Sequence, residues 1–289
     1  MSAFALKLIA LISMFIDHST FVFYLHHLMS VNMYIFLRGV GRLAFPIYCF
    51  LLVNGFQHSS NKEKYLSRLM LFAVISQLPF SLTFTIGNHY GVASGAPVFS
   101  FGGLAYIIPA VLFIGAYLMG KEKKVSHILT LCLFTILPGI TLKIGTVTLI
   151  DGHMNVFYTL ALGFSVISLI HGAQEKALNT PRLILSSLAI LAAVVIIQPE
   201  ADYGLSGLVL ICLLYVFRTS KAVQAVVICL WACMQYGFVG ANLLFTVFAI
   251  LSIISVLLYN DKKGPSLKYF FYIFYPAHLL ILSLISFCI

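Results

Sequence analysis

The chain has 289 residues, of which 61% are hydrophobic and only 9% are charged, and its mean hydropathy is +1.05. Soluble domains carry about 25% charged residues, so this composition excludes an ordinary soluble globular protein. The formal net charge of +9 would suit nucleic acid, but the basic residues lie in short clusters between apolar runs, as in cytoplasmic loops that follow the positive-inside rule. We therefore expect an all-α, polytopic integral membrane protein with no nucleic-acid partner.

Eleven apolar segments divide the chain, and each is predicted to form a helix. Because neighbouring segments can merge or split, we expect 10 or 11 transmembrane helices in one membrane domain, residues 1–289. The segments are residues 4–24, 32–57, 64–86, 100–119, 125–142, 154–171, 181–198, 203–217, 222–239, 242–259 and 267–287. A helix needs about 20 residues to cross the ~30 Å hydrocarbon layer, so the short segment at 203–217 is expected to be tilted or re-entrant. The glycine-containing stretch 87–103 is either a lid or an ordinary loop.

The distribution of basic residues predicts the orientation of these segments. With a cytoplasmic N-terminus, the inner loops hold 14 of the 17 Lys and Arg residues. These are Lys7, Lys62, Lys64, Arg68, Lys121, Lys123, Lys124, Lys176, Arg182, Arg218, Lys221, Lys262, Lys263 and Lys268. The outer loops keep only Lys143, and the other two basic residues lie inside the second segment. This bias predicts a cytoplasmic N-terminus and a C-terminus on the outer side.

Asp17 and His18 stand side by side in the second half of the first segment, FALKLIALISMFIDHSTFVFY. A carboxylate at the centre of a membrane helix costs roughly 3 kcal/mol on insertion scales. A helix that served only to span the membrane would not need this pair. We expect residues later in the chain to pair with it, and we expect the pair to take part in chemistry.

Arg38 and Arg42 lie four residues apart in the second segment, hence on one helix face and about 5.4 Å from each other along the axis. They reach the same depth as the acidic pair of the first segment, and Gly39 and Gly41 allow another backbone to approach. One alternative is a structural Asp17–Arg pair that locks the two segments, with the neighbouring histidine a hydrogen-bonded bystander. The other is a functional site, because one carboxylate cannot neutralise two guanidiniums and a cation remains for a phosphate or carboxylate ligand.

Further polar residues begin two segments on the outer side. Asp151, His153 and Asn155 precede the sixth segment, and Glu200 and Asp202 precede the eighth. Asp and Asn are common at helix starts, so each is either an ordinary cap or part of a site.

His278 lies near mid-depth in the last segment, directly after Tyr275, Pro276 and Ala277. A histidine at that depth is more often functional or hydrogen-bonded within the helix bundle than exposed to lipid.

The six cysteines lie within or at the end of apolar segments, and none belongs to a CxxC motif. Cys229 and Cys233 are one helical turn apart but have no third or fourth ligand nearby in the sequence. We therefore expect them to pack in the core, and we expect no metal site.

Six blocks of the sequence match the pattern of a known protein family. The runs LKLIALISMFIDH, RGVGRLAFPIYCFLLVNGF and KYLSRLMLFAVISQLPF, followed in order by NVFYTLALGF, ADYGLSG and KYFFYIFYPAHLL, resemble the TraX family of membrane proteins. The resemblance spans nearly the whole chain, and its GRLAFP and IDH blocks are specific. The chain departs from the pattern at Asn54, where relatives often carry an acidic residue.

The resemblance implies an activity. The named member of the family is associated with N-terminal acetylation of conjugative pilin. The family also resembles the wider group of transmembrane acyltransferases, in which a membrane histidine serves acyl transfer and acyl-CoA is the donor. Fold does not fix the acceptor, which could be a protein, a lipid or a glycan. The positions that carry over are Asp17, His18, Arg38, Arg42, Arg68, Asn155, Asp202, Tyr275 and His278.

The resemblance also suggests roles for the membrane residues. His18 is suited to act as general base because imidazole titrates near neutrality. Asp17 either tunes that base through its field or, since adjacent helical residues point about 100° apart, holds an arginine instead. Arg38 or Arg42 would bind a CoA phosphate or the developing oxyanion. Arg68, with the neighbouring lysines, either binds the 3′-phosphoadenosine end of CoA or serves as a positive-inside anchor.

We thus expect a multi-pass acetyltransferase of the bacterial cytoplasmic membrane that uses acetyl-CoA or another acyl-CoA and no metal. It would modify an amine or hydroxyl of a membrane or extracytoplasmic acceptor, such as the N-terminus of a pilin-like protein. The rival class is a proton-coupled transporter or flippase, which also uses intramembrane Asp, His and Arg. A purely structural assembly factor is a third alternative.

Overall fold

The computed structural model describes residues 1–85, 98–120, 124–145, 147–175 and 179–289. The helices are α1 (Ala3–Leu25), α2 (Val31–Gly41), α3 (Ala44–His58), α4 (Lys62–Phe84), α5 (Ile107–Leu118), α6 (Val125–Ile136), α7 (Val156–Gln174), α8 (Thr180–Ile196), α9 (Gly204–Val216), α10 (Lys221–Tyr236), α11 (Ala241–Leu257) and α12 (Lys268–Cys288). The strands are β1 (Val98–Phe101), β2 (Ile140–Ile144) and β3 (Val147–Ile150). Short 3₁₀ turns cover Leu104–Tyr106, Leu137–Gly139 and Gln198–Glu200.

The helices confirm a polytopic membrane protein. Among the described residues, five helical stretches are long and apolar enough to cross a membrane: Ala3–Leu25, Val31–His58, Lys62–Phe84, Val156–Gln174 and Tyr269–Cys288. Six shorter apolar helices of 10–17 residues accompany them. At 1.5 Å per residue even the longest of these reaches only about 26 Å, less than the ~30 Å hydrocarbon layer. Together they correspond one for one to the predicted apolar segments.

The second predicted segment is broken into two helices. Helix α2 ends at Gly41 and α3 begins at Ala44, with a turn at Arg42 and Leu43 between them. Pro46 explains the position of the break, because it has no N–H to bond the carbonyl four residues earlier and its ring crowds that carbonyl.

A small antiparallel sheet replaces helix at the ends of the fourth and fifth predicted segments. Strand β2 pairs with both β1 and β3, with Phe99 opposite Leu142 and Val147 opposite Ile144. The predicted helices over 100–119 and 125–142 are therefore too long, because α5 begins only at Ile107 and α6 already ends at Ile136. The proposed lid at 87–103 lies largely outside the described residues, which resume at residue 98.

Two compact units divide the chain. Unit 1 comprises Met1–His58 and Leu210–Ile289, and unit 2 comprises Ser59–Val209. The expectation of one domain over residues 1–289 stays a prediction, and each unit is described by itself below.

In unit 1, α1 packs against α2, α3 and α12, while α11 packs against α10, α2 and α3. Aromatic pairs fill its core. The ring centroids lie 5.6 Å apart in Phe45–Trp231 and 5.5 Å apart in Phe56–Tyr215. Helix α1 therefore has neighbours on several faces, which is where its polar residues must find partners.

Helices α1 and α12 run parallel to each other. Near their N-terminal ends the rings of Phe4 and Phe271 lie 5.8 Å apart, and near their C-terminal ends His26 Nε2 lies 2.7 Å from Ser286 Oγ. Two helices that cross a membrane in the same direction begin on the same side of it. The parallel pair agrees with the odd number of crossings that places the two termini on opposite sides.

In unit 2, α4 packs against α6 and α7, and α8 packs against α5 and α7. The stacked rings of Phe134 and Tyr158, 4.5 Å apart, join α6 to α7, and the tilted rings of Tyr65 and Phe164, 4.8 Å apart, join α4 to α7. Strand β3 also lies against α4, so the small sheet packs on this helix.

Candidate functional site

A carboxylate buried in unit 1 bridges two arginines. Asp17 in α1 is 8% exposed. Its Oδ2 accepts a hydrogen bond from Arg38 Nη1 at 2.7 Å, and its Oδ1 accepts one from Arg42 Nη2 at 2.6 Å. The four-residue spacing predicted that both guanidiniums share one face of α2, and the structure confirms that this face meets the carboxylate. These three residues are called the ion trio.

Close approach of α2 makes the ion trio possible. A Cβ added at Gly41 would overlap the carboxylate of Asp17, and one added at Gly39 would lie 2.8 Å from the ring of Phe248 in α11. The hydroxyl of Ser13 in α1 donates to the carbonyl of Val40 at 2.5 Å. The two glycines therefore let α2 pack between α1 and α11 with its backbone near both neighbours.

Aromatic rings surround the guanidiniums of the ion trio. The Cζ of Arg38 lies 5.7 Å from the ring centroid of Phe21 and 6.0 Å from that of Tyr34. The Cζ of Arg42 lies 5.6 Å from the ring centroid of Phe245, and its Nε donates to the carbonyl of Arg38 at 3.1 Å. Ring faces attract cations within about 6 Å, so these aromatic rings hold both guanidiniums at defined positions.

The ion trio carries two positive formal charges and one negative. Unit 1 contains only two acidic side chains in its sequence, Asp17 and Asp261. Asp261 lies in the loop before α12 and forms its own ion pair with Lys221 at 2.8 Å. Unit 1 thus places more positive than negative charge at the trio, in surroundings where the Asp17 side chain is only 12% exposed.

His18 turns away from the ion trio and meets α12. Its Nδ1 lies 2.8 Å from Nε2 of His278, which is 3% exposed. Nδ1 of His278 in turn lies 2.7 Å from the carbonyl oxygen of Phe274. Of the two alternatives for Asp17, the structure shows the one in which it holds arginines and leaves His18 to another partner. The chain Phe274–His278–His18 is called the histidine relay.

Aromatic side chains also fix the relay. The ring of His278 stacks on that of Phe274 at 4.9 Å and meets those of Phe15 at 6.1 Å and Tyr275 at 5.7 Å edge-on. Tyr275, predicted as a site residue, is 3% exposed and its ring lies 6.1 Å from that of His18. The structure therefore brings six predicted residues together in unit 1: Asp17, His18, Arg38, Arg42, Tyr275 and His278.

The remaining predicted residues, Arg68, Asn155 and Asp202, belong to unit 2. Arg68 lies in α4, with its Cζ 5.7 Å from the ring centroid of Tyr65. Its Nε is buried and has no hydrogen-bond partner among the described residues. A guanidinium with an unused donor can bind an anion, so the structure leaves the CoA-binding alternative for Arg68 open.

Asn155 is completely buried and caps α7. Its Oδ1 accepts from the backbone N–H of Phe157 at 3.1 Å, and its Nδ2 donates to Ala73 O at 2.8 Å and Gln77 Oε1 at 2.9 Å. The capping alternative is confirmed for this residue. Gln77, which sequence reasoning missed, extends the network to the carbonyl of His153 at 2.7 Å.

Asp202 lies in the turn before α9, where its main chain and its side chain both form hydrogen bonds. Its N–H donates to Met154 O at 2.8 Å, its carbonyl accepts from the hydroxyl of Thr159, and its Oδ1 accepts from the N–H of Tyr203 at 3.1 Å. Nearby Glu200 is exposed. Asp202 therefore orders the start of α9.

Asp151 is hydrogen-bonded to the end of α4. Its Oδ2 accepts from the hydroxyl of Thr85 at 2.6 Å, and its Oδ1 accepts from the N–H of His153 at 3.2 Å. Within the described ranges, no group of three or more His, Cys, Asp or Glu is arranged to hold a metal ion.

Comparison with known proteins relates the chain to a family and to a curated protein. A family model described as "TraX protein" matches residues 2–93 and 86–286. The "Probable fimbrial assembly protein FimC, serogroup H1" of Dichelobacter nodosus is 52% identical over 79 residues. That alignment covers 27% of this chain and 31% of the relative, so the chain matches about a third of the relative's length. No solved structure matches the chain significantly.

Proposed function

The chain belongs to the TraX family, and on that premise we propose that it is a membrane-embedded acyltransferase of the bacterial cytoplasmic membrane. It takes an acyl group, acetyl in the simplest case, from acyl-CoA and transfers it to an amine or hydroxyl. The observation that supports this most is the contact between His18 and His278 at the position next to the ion trio. Acyl transfer needs a base for the acceptor and positive charge for the oxyanion. His18 offers the base, and the two arginines bound by the adjacent Asp17 offer the charge.

His18 is the proposed general base. The acceptor's nitrogen or oxygen attacks the thioester carbonyl, and the proton it loses passes to the imidazole of His18. A new C–N or C–O bond forms and the C–S bond breaks. The proton then passes from His18 to the leaving CoA thiolate, which restores the enzyme. General-base help of this kind typically contributes 10²- to 10⁴-fold to the rate.

The ion trio is the proposed anion site. Two arginines pair with one carboxylate, so the trio keeps a net positive charge. Because the trio is largely buried, this charge would attract an oxyanion or a CoA phosphate with little screening by water. Arginine suits this role because its planar fork binds carboxylates and phosphates through two hydrogen bonds. Asp17 keeps the arginines fixed before the ligand arrives, and such preorganisation lowers the cost of the reaction.

The depth of His18 suggests where the two substrates enter. It lies about 22 Å along α1 from Ala3 and about 10 Å from Leu25, at 1.5 Å per residue. With a cytoplasmic N-terminus, the base is therefore nearer the outer side. The acceptor would enter from that side or from the lipid, while CoA would enter from the cytoplasm.

A pilin-like protein N-terminus is the proposed acceptor, because the relative from D. nodosus is named as a fimbrial assembly protein. A lipid or a glycan is the alternative acceptor. Incubation of purified protein with labelled acetyl-CoA and membrane extract, followed by mass analysis, tests the activity and identifies the acceptor together. Label transfer and thermal stabilisation by CoA are the expected results.

The same histidine relay also favours one second function, proton-coupled transport, since hydrogen-bonded intramembrane histidines serve as proton relays in carriers. Reconstituted vesicles separate the two. Proton-dependent solute uptake with no CoA binding and no label transfer would support the carrier and overturn the acyltransferase.

A further inference from the structure

We infer that His278 is a positioning residue that holds His18 in the tautomer with its proton on Nδ1, so that Nε2 of His18 is the atom that accepts a proton. The assignment of the tautomer stands on the geometry of the relay alone. The claim that this proton comes from the acyl acceptor rests on the proposed function.

The first step begins at the main chain. A carbonyl oxygen can only accept a hydrogen bond, and that of Phe274 lies 2.7 Å from Nδ1 of His278. Nδ1 of His278 must therefore carry a proton and donate it to this carbonyl. Phe274 is four residues before His278 on α12, so the helix itself places the carbonyl oxygen of Phe274 within hydrogen-bond distance of the His278 ring.

The second step follows from the chemistry of imidazole. A neutral imidazole has one N–H and one lone pair, so the Nε2 of a neutral His278 is an acceptor. His18 Nδ1, 2.8 Å away, must then be the donor. The lone pair of a neutral His18 is left on Nε2. A state with both rings protonated would set two N–H groups against each other at 2.8 Å, so the relay excludes it.

The third step concerns the proton once it is taken up. When Nε2 of His18 accepts a proton, the Nδ1 proton can move to Nε2 of His278. The second ring then holds the charge and keeps its bond to Phe274. The charged groups on the other side of α1 are Asp17, Arg38 and Arg42, and transfer to His278 moves the new positive charge away from the two arginines.

Two substitutions of His278 separate a positioning role from a packing role. In His278→Gln the side-chain oxygen can take the place of Nε2 and still accept the proton of His18. In His278→Leu no acceptor remains, and His18 should revert to the tautomer with its proton on Nε2. We expect His278→Gln to keep acyl transfer within about 10-fold of wild type and His278→Leu to lose about 10²-fold or more, which is the size of a general-base contribution.

Nitrogen-15 NMR of histidine-labelled protein in nanodiscs gives a readout that needs no activity. The signals of His18 are assigned by their loss in His18→Gln. Wild type and His278→Gln should show a protonated Nδ1 and an unprotonated Nε2, and His278→Leu should show the reverse. A wild-type His18 with its proton on Nε2, or a tautomer that His278→Leu leaves unchanged, would overturn the inference. If the tautomer is as assigned but no label transfer occurs, the proposed function fails and the positioning role does not.

Discussion

At the scale of single residues, the ion trio accounts for a carboxylate that a spanning helix would otherwise exclude. Asp17 binds one guanidinium with each oxygen, so neither oxygen lies unbonded in the membrane interior. A buried ion pair contributes little by itself, but removal of one partner leaves an uncompensated charge and is strongly destabilising. The loss of stability therefore depends on which member of the ion trio is substituted.

Asp17→Asn should destabilise unit 1 more than Arg42→Gln does. The first substitution leaves two guanidiniums against a neutral amide, whereas the second leaves one carboxylate with Arg38. We expect Asp17→Asn to lower the free energy of unfolding by about 3–5 kcal/mol and Arg42→Gln by clearly less. Chemical denaturation of the two variants in the same detergent gives the comparison. Equal losses, or a larger loss for Arg42→Gln, would show that the trio is not held as described.

The sequence predicts the partners of Asp17 but not the partner of His18. The pairing of Asp17 with Arg38 and Arg42 could be predicted because consecutive membrane segments lie side by side and the sequence gives the depth of each charge. The contact of His18 with His278 crosses 260 residues, and no local pattern indicates which of the other helices α1 meets. His278 was predicted as a site residue, but its role as the partner of His18 required the packing of α12 on α1.

At the scale of elements, the break between α2 and α3 and the two glycines of α2 work together. The break ends α2 at the turn that contains Arg42, and the glycines bring this end of the helix against α1. The apolar pattern alone predicted one continuous segment over 32–57, because a short turn inside an apolar run does not change its hydropathy. Likewise it could not predict the sheet, since β1 and β2 are far apart in sequence and Ile, Thr and Val suit either a membrane helix or a strand.

Gly41→Ala and Gly39→Ala form a matched pair on α2. The new methyl group at position 41 would overlap the carboxylate of Asp17, which two ion pairs hold in place, whereas at position 39 it would meet a phenylalanine ring that can shift. We expect Gly41→Ala to cost about 1–3 kcal/mol and Gly39→Ala less. Thermal unfolding of both variants checks the order. A more damaging Gly39→Ala would contradict the described packing of α2.

At the scale of the whole molecule, the eleven apolar stretches are the feature that the sequence predicted best. Their positions follow from hydropathy, which in a bilayer decides helix formation because every backbone polar group must be bonded internally. Their direction follows from Lys and Arg, and the parallel packing of α1 and α12 in unit 1 agrees with it. The division into two compact units was not predicted, because the boundary between Val209 and Leu210 falls inside the apolar segment 203–217.

The predicted orientation can be tested with reporters fused to the C-terminus. With a cytoplasmic N-terminus and parallel first and last helices, the C-terminus lies on the outer side. A fused alkaline phosphatase should be active and a fused green fluorescent protein dark. The control is a fusion at residue 122, in the loop whose lysines are predicted to be cytoplasmic, where the two signals should be reversed. A fluorescent C-terminal fusion would overturn the topology and the proposed direction of substrate entry.

The most direct test of the central claim compares two histidines on one pair of helices. His18 lies in α1 and His26 directly follows the end of that helix. Each is hydrogen-bonded to α12, His18 to His278 at 2.8 Å and His26 to Ser286 at 2.7 Å. The measurement is the rate of acetyl transfer from labelled acetyl-CoA by His18→Ala and by His26→Ala, both shown to be folded by thermal unfolding. We predict that His18→Ala loses at least about 10²-fold and that His26→Ala keeps nearly the wild-type rate. Full activity in His18→Ala would contradict the assignment of this residue as the base.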